Sequence, residues 1–255
     1  MSKPARQVID PSPLVTRLWG TFLILALSGG IAAGWAHFSS RVDETVGASS
    51  AIRAPKGPCD HDPVAAVPDL RDGDVVAAAI GDSFMYGQGA ERPSGGYIDQ
   101  VADAVAWDFS PFPNRGAGYV HYGMDRKGWD YGLMAERKVV PLNPDVVFIQ
   151  GSPNDLPEPG VEDRAHQVFR YLARELPDAA IVVLGPIPAP DVRPELERLN
   201  GEIRDGAACA GVHFIDAFDR GWSIEHRPDG DVHPTQRGHD RLAQEVLSGL
   251  RDFAA

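Results

Sequence analysis

The chain has 255 residues, 43% of them hydrophobic, enough for one domain of ordinary size plus an appendage and too polar for a multi-span membrane protein. Its 24 Lys and Arg stand against 36 Asp and Glu, a net charge of −12. That balance, with no cluster of cations, excludes a nucleic-acid partner, because phosphate binding needs grouped Lys and Arg.

The first element in chain order is an apolar segment. Between Arg17 and Arg41 there is no Lys, Arg, Asp or Glu. The stretch 18–38 matches the ~20 residues that a bilayer-spanning helix requires. Lys3, Arg6 and Arg17 precede it, so the positive-inside rule leaves 1–17 in the cytoplasm and sends the rest outside. Trp19 and Trp35 fall near its ends, where interfacial aromatics are favoured. A cleaved signal peptide is the rival reading, since Gly34-Trp35-Ala36 suits a signal peptidase. Signal cores run to about 7–15 residues, which favours an uncleaved anchor. Residues 39–72 read as a linker, interrupted by Pro55, Pro58, Pro63 and Pro68 and lacking any period of 2 or 3.6.

A domain is expected over 73–255. Four apolar runs, Val75–Ile80, Val146–Ile149, Ile181–Leu184 and Val212–Ile215, read as strands. The first three are continuous rather than alternating, as in parallel strands covered on both faces. A further strand is expected within Trp107–Asn114, where Pro111 and Pro113 break the pattern. Helical stripes lie between: Ile98, Val101, Ala102 and Val105 within 95–107; Ala165, Val168, Phe169, Leu172 and Leu176; and Leu242, Val246, Leu250 and Phe253. The alternation predicts a three-layer α/β/α sandwich with right-handed crossovers. Segments 119–140 and 186–196 carry no readable pattern.

The chain has two cysteines. In an exported protein Cys59 and Cys209 can form a disulfide that clips the linker to the domain. The alternative is two unpaired thiols, with Cys209 buried in Ala207-Ala208-Cys209-Ala210. No Cys/His spacing resembles a zinc site.

Chemistry is expected at strand ends. Ser83 follows Gly81-Asp82 at the tip of the first strand, and a helix starting there would aim its N-terminal amides at a bound acyl oxygen. A serine there is also a common helix N-cap. As a nucleophile it needs a base, and His233, before Pro234-Thr235, is the expected one; Thr235 would cap the terminal helix. His239, His226 and His213 compete, the last as a satisfied core residue. Asp82 and Asp155 read as structural acceptors for loop amides. The loop 86–90 and the aromatics Trp107, Phe109, Tyr119, Tyr122, Trp129 and Tyr131 line a pocket or, by default, pack the core. No G-x-S-x-G elbow, dinucleotide fingerprint or phosphate loop occurs.

Four ordered blocks, Gly81-Asp82-Ser83, Asn114-Arg115-Gly116, Gly151-Ser152-Pro153-Asn154-Asp155 and Asp231-Val232-His233-Pro234-Thr235, resemble those of the SGNH hydrolases, the GDSL esterase/lipase family. The family's letters fall on Ser83, Gly116, Asn154 and His233, and the resemblance covers 73–255. It implies a mainly parallel five-stranded sheet in flavodoxin-like order. It also implies an acyl-enzyme on Ser83, His233 as base, and an oxyanion hole of Ser83 N–H, Gly116 N–H and the Asn154 side chain. No metal or cofactor is implied. The family usually has Asp three residues before the histidine, where this chain has Gly230. Asp231, nearer in sequence, is the first choice to orient the ring after a local bulge and Asp229 the second; otherwise a backbone carbonyl holds it in a Ser–His dyad.

The expected function is a membrane-tethered extracytoplasmic serine esterase for small or medium acyl esters, with acetyl esters of envelope glycans among the candidate substrates. Two alternatives stand beside it: an O-acyltransferase modifying an envelope polysaccharide, and a non-catalytic envelope-binding module.

Overall fold

The computed structural model describes Cys59, residues 63–126, 128–228 and 230–254. The expected anchor at 18–38 and its flank 1–17 lie outside the described residues. Among the described residues no helix is long and apolar enough to cross a membrane.

Five parallel strands form the middle layer: β1 (Val76–Gly81), β2 (Asp108–Pro113), β3 (Val146–Gln150), β4 (Ala180–Leu184) and β5 (His213–Ile215), in the order β2-β1-β3-β4-β5. This is the flavodoxin-like order that the resemblance implies. Every residue of β3 and β4 is buried, which accounts for their unbroken apolar runs. Successive side chains point to opposite faces and feed two cores. Ala78, Ile80, Val147, Ile149, Ile181 and Val183 belong to one, and Ala77, Ala79, Val146, Phe148, Val182 and Leu184 to the other.

The prolines of β2 are explained by its place at the edge. Asp108 N–H bonds Val75 O and Asn114 N–H bonds Gly81 O, so the even positions donate toward β1. Pro111 and Pro113 have the opposite parity, and their missing N–H groups fall on the outer side where no ladder needs them.

Helices α1 (Tyr97–Ala104) and α5 (Gln236–Arg251) cover one face of the sheet. The other is covered by α2 (Tyr131–Met134), α3 (Val161–Glu175) and α4 (Arg193–Ala210). Helix α2 continues through a π turn, Ala135–Val139, and a 3₁₀ turn, Val140–Leu142. Neither α2 nor α4 is foreseen by the apolar pattern. The buried stripe of α4 mixes the large apolar Leu196, Leu199 and Ile203 with Asn200, Gly206, Ala207 and Ala210, so its helical 3–4 spacing is apolar in the first half and small-sided in the second. Gly206 lets α4 approach closely: a Cβ there would stand 3.1 Å from Glu162 O on α3.

The linker expected over 39–72 ends earlier than that. Val67 and Leu70 are buried, Val67 N–H bonds Phe253 O at 2.9 Å, and Ala106 N–H bonds Leu70 O at 2.8 Å. The Trp107 indole bonds Asp69 O at 3.0 Å, and His213 Nε2 lies 2.8 Å from Ala65 O. Residues 63–72 therefore belong to the domain's packed surface. They make single backbone contacts rather than a periodic face, so no periodicity advertises them. Cys59 is disulfide-bonded to Cys209 at the C-terminal end of α4, with Cα atoms 4.4 Å apart. Closing a loop of 150 residues is worth on the order of 2–5 kcal/mol in chain entropy.

Candidate active site

Each functional side chain stands just beyond the C-terminal end of a strand or in the loop before α5. Strand β1 ends at Gly81, whose missing side chain leaves room for Met85: a Cβ there would lie 2.6 Å from Met85 Cβ. Ser83 follows. The helix expected after it is a run of turns instead. Tyr86 N–H bonds Asp82 O at 2.9 Å, one helical turn, and then Gly87 (φ +82°) and Gly89 (φ +98°) carry the chain through the left-handed region.

The serine hydroxyl lies 2.8 Å from His233 Nε2. On the other side of the ring, His233 Nδ1 lies 2.5 Å from Asp231 Oδ1. A carboxylate can only accept, so Nδ1 carries the proton and Nε2 is left to accept from Ser83. The same Asp231 oxygen accepts the backbone N–H of His233 at 3.0 Å, and Arg227 Nη1 stands 3.2 Å from the other oxygen. Partial burial pushes the Asp231 carboxyl up, but the His233 N–H, its ring and Arg227 outweigh this and hold it below the usual range. The aspartate two residues before the histidine thus supplies the ring partner, and no dyad held by a carbonyl is needed. Asp229 lies outside the described residues. Gly230, at φ +75°, makes the turn that brings Asp231 under the ring.

The histidine loop is tied at several points. Arg227 N–H bonds His233 O and Thr235 N–H bonds Glu225 O, both at 2.9 Å. Thr235 Oγ1 accepts Gly238 N–H at 3.1 Å and caps α5, as its position suggests. Phe84 packs against the His233 ring, centroids 5.3 Å apart. The competing histidines are engaged elsewhere. His239 accepts Tyr97 N–H on Nδ1 and reaches Gln88 O with Nε2, and burial lowers its pKa. His226 lies between Val232 O (2.6 Å) and Pro188 O (2.8 Å), and His213 stacks on Phe253.

Gly116 and Asn154 follow β2 and β3. Gly116 sits at φ +78°, where a side chain would be strained, and His121 Nδ1 holds its carbonyl at 2.7 Å. Among the described residues, neither the Ser83 N–H nor the Gly116 N–H is donated to another protein group. Asn154 lies on a 3₁₀ turn, Pro153–Asp155, and is half-buried. Its Nδ2 is 2.8 Å from Ser152 Oγ, 3.3 Å from Ala117 O and 3.4 Å from Asp82 Oδ2.

Two buried carboxylates brace these loops, as their structural reading expects. Asp155 accepts the N–H groups of Tyr119, Val120 and His121 at 2.7–3.0 Å, tying the end of β3 to the loop that carries Gly116. Burial pushes its carboxyl up, and those three bonds pull against the rise. Asp82 accepts Phe84 N–H at 2.9 Å, Gln150 Nε2 at 3.0 Å and the Ser152 hydroxyl at 2.7 Å. Complete burial lifts it to about 6, against the pull of Ser152, Phe84, Gln150 and the charge of His233. His121, Gln150 and Ser152 are not singled out by the sequence as site residues, because each acts on a partner brought close by the fold. Only Ser152 carried a signal, its place inside the third block.

Of the aromatics weighed as pocket residues, Trp107, Tyr119 and Tyr131 are core. Tyr86, three residues past Ser83, is exposed, as is Met124 beside Gly116. The Arg115 guanidinium lies 4.8 Å above the Tyr86 ring and pairs with Asp125 at 2.6 Å.

A doubly wound parallel sheet with a serine, histidine and aspartate aligned at its C-terminal end defines the class: an ester-hydrolysing serine hydrolase. The family model for the GDSL-like lipase/acylhydrolase family matches residues 79–241, and the chain belongs to that family. No curated protein matches the chain in sequence. Among solved structures it is similar to Axe2, an acetylxylan esterase from Geobacillus stearothermophilus, at 20% identity and TM-score 0.53, over 71% of this chain and 95% of that one. It is likewise similar to LAE5, an alpha/beta hydrolase enzyme from the metagenome of Lake Arreo, Spain, at 18% identity and TM-score 0.53, over 71% and 97%. At these identities the two share the fold.

Proposed function

We propose that the chain is an extracytoplasmic esterase, tethered through 18–38, that removes small acyl groups, foremost acetyl, from envelope glycans. The observation that carries the catalytic reading is the continuous line from Asp231 through His233 to Ser83, at 2.5 and 2.8 Å. Ser83 Oγ gives its proton to His233 Nε2 as it attacks the ester carbonyl carbon. The carbonyl oxygen takes the electron pair and is held by Ser83 N–H, Gly116 N–H and the Asn154 amide. Removing one such donor costs roughly 2.7–4 kcal/mol of transition-state stabilisation. Collapse expels the alkoxide, which leaves with the proton from Nε2. Water then attacks the acyl-enzyme, again giving its proton to His233, and releases the acid and Ser83.

Two observations support the location and substrate. The Cys59–Cys209 disulfide suits an oxidising compartment. The exposed Tyr86 ring, three residues past Ser83 and with Arg115 over one face, leaves its other face for a sugar, and a fold neighbour is named for deacetylating a glycan. Intact cells carrying the full chain should release acetate from an O-acetylated oligosaccharide supplied outside, and cells carrying Ser83→Ala should not. Release only after lysis would overturn the location, and none after lysis would overturn the substrate class.

A further inference from the structure

The Ser152 hydroxyl, fully buried beneath the site, has all its hydrogen-bonding capacity assigned. A serine hydroxyl has one proton to give and two lone pairs. The proton lies toward Asp82 Oδ2 at 2.7 Å, and both lone pairs face a single residue: Asn154 N–H at 3.1 Å and Asn154 Nδ2 at 2.8 Å. We propose that Ser152 is a positioning residue that relays the buried Asp82 carboxylate to the Asn154 carboxamide and dictates which end of that amide faces the reacting carbonyl oxygen. The inference rests on reading Asn154 as an oxyanion donor.

Proton accounting fixes the direction of the relay. The Asp82 carboxylate is ringed by donors: Phe84 N–H, Gln150 Nε2, the Ser152 hydroxyl and, at 3.4 Å, Asn154 Nδ2. Gln150 cannot turn its oxygen inward, because Oε1 accepts the Tyr97 hydroxyl at 2.8 Å while Nε2 also reaches Gly151 O. The Ser152 proton therefore has one destination, and the oxygen must present lone pairs to Asn154. Around the Asn154 nitrogen stand Ser152 Oγ, Ala117 O and Asp82 Oδ2. Two of these can only accept, so the flipped amide would set its oxygen against a carbonyl and a carboxylate. An oxyanion hole needs a donor already in place when charge develops. The amide nitrogen has two protons. With one held by Ser152 Oγ at 2.8 Å, the second, only loosely engaged by Ala117 O at 3.3 Å, is the one left for the oxyanion. The charged and titratable groups facing Asp82 are His233, Tyr97 and Tyr131. With the proton on the site's imidazole, Asp82 also places a negative charge behind it.

The test is a kinetic cycle on p-nitrophenyl acetate with the full chain. Asn154→Ala should lose kcat by about 10²- to 10³-fold. Ser152→Ala should lose kcat by about 10- to 100-fold with KM within twofold, because it misplaces a transition-state donor and removes no ground-state contact. In the double variant, the loss should equal that of Asn154→Ala alone, since Ser152 acts only through Asn154. Ser152→Gly repeats the comparison should the alanine variant not fold. Wild-type turnover in Asn154→Ala would remove the oxyanion reading and this inference with it. A large loss in Asn154→Ala with kcat within twofold of wild type in Ser152→Ala, or losses that multiply in the double variant, would overturn the relay alone.

Discussion

Asp231 holds both the His233 ring and its backbone N–H with one oxygen, from two residues away in the chain. Removing it leaves the imidazole free to take the wrong tautomer. Asp231→Ala should lower kcat on p-nitrophenyl acetate on the order of 10²–10⁴-fold with little change in KM; kcat within twofold of wild type would show that another group orients the ring. Asp82 behaves in the opposite sense, because its folded-state pKa is raised to about 6 from 3.8. The folded protein binds the proton more tightly, so this group's contribution to stability is fully present below pH ~4 and is lost as pH rises through ~6. Two pKa units correspond to roughly 3 kcal/mol. Relative to Asp82→Asn, the wild type should thus be most favoured at pH 4 and lose about 3 kcal/mol of that advantage by pH 7, measured by urea unfolding. An advantage that grows with pH would contradict this. At this scale Ser83, Gly116, Asn154 and His233 were legible, each lying in a short block at a strand end or before a helix. Asp231 is already the first choice for the ring partner by its nearness in sequence; what the string hides is the positive-φ turn at Gly230 before it, and Ser152, which meets Asp82 from 70 residues away.

The elements that position the site are strand ends and tight loops, and sequence reveals them unequally. Buried parallel strands leave continuous apolar runs, so β1, β3 and β4 were readable within a residue or so. Strand β2 was only half visible, because an edge position tolerates prolines that a central strand would not. Helix α4 was half hidden: Leu196, Leu199 and Ile203 keep a helical spacing, but Asn200 and Gly206 interrupt the buried face and its second half is only alanine-sized. The segment after Ser83 read as a helix because nothing in the string shows that Gly87 and Gly89 adopt positive φ. Gly89 has a structural duty there: a Cβ on it would run into the Pro234 carbonyl oxygen, one residue past His233. Gly89→Ala should displace that loop and lower kcat by about 10²-fold, with far-UV circular dichroism unchanged. Wild-type kcat in this variant would mean that the loop yields without moving His233.

Across the whole molecule, a single sheet with a core on each face brings together loops from β1, β2 and β3 and the segment before α5. The fold class and strand order followed from the alternation of elements and the family resemblance. The start of the domain did not, because Val67 and Leu70 are bound by isolated contacts and by the disulfide upstream. All of these parts converge on one hydroxyl. The most direct measurement is therefore mass spectrometry of the protein after reaction with a fluorophosphonate. The geometry predicts one adduct, on the peptide bearing Ser83, lost in Ser83→Ala and strongly slowed in His233→Ala. An adduct on another serine, or none on the folded protein, would contradict Ser83 as the nucleophile.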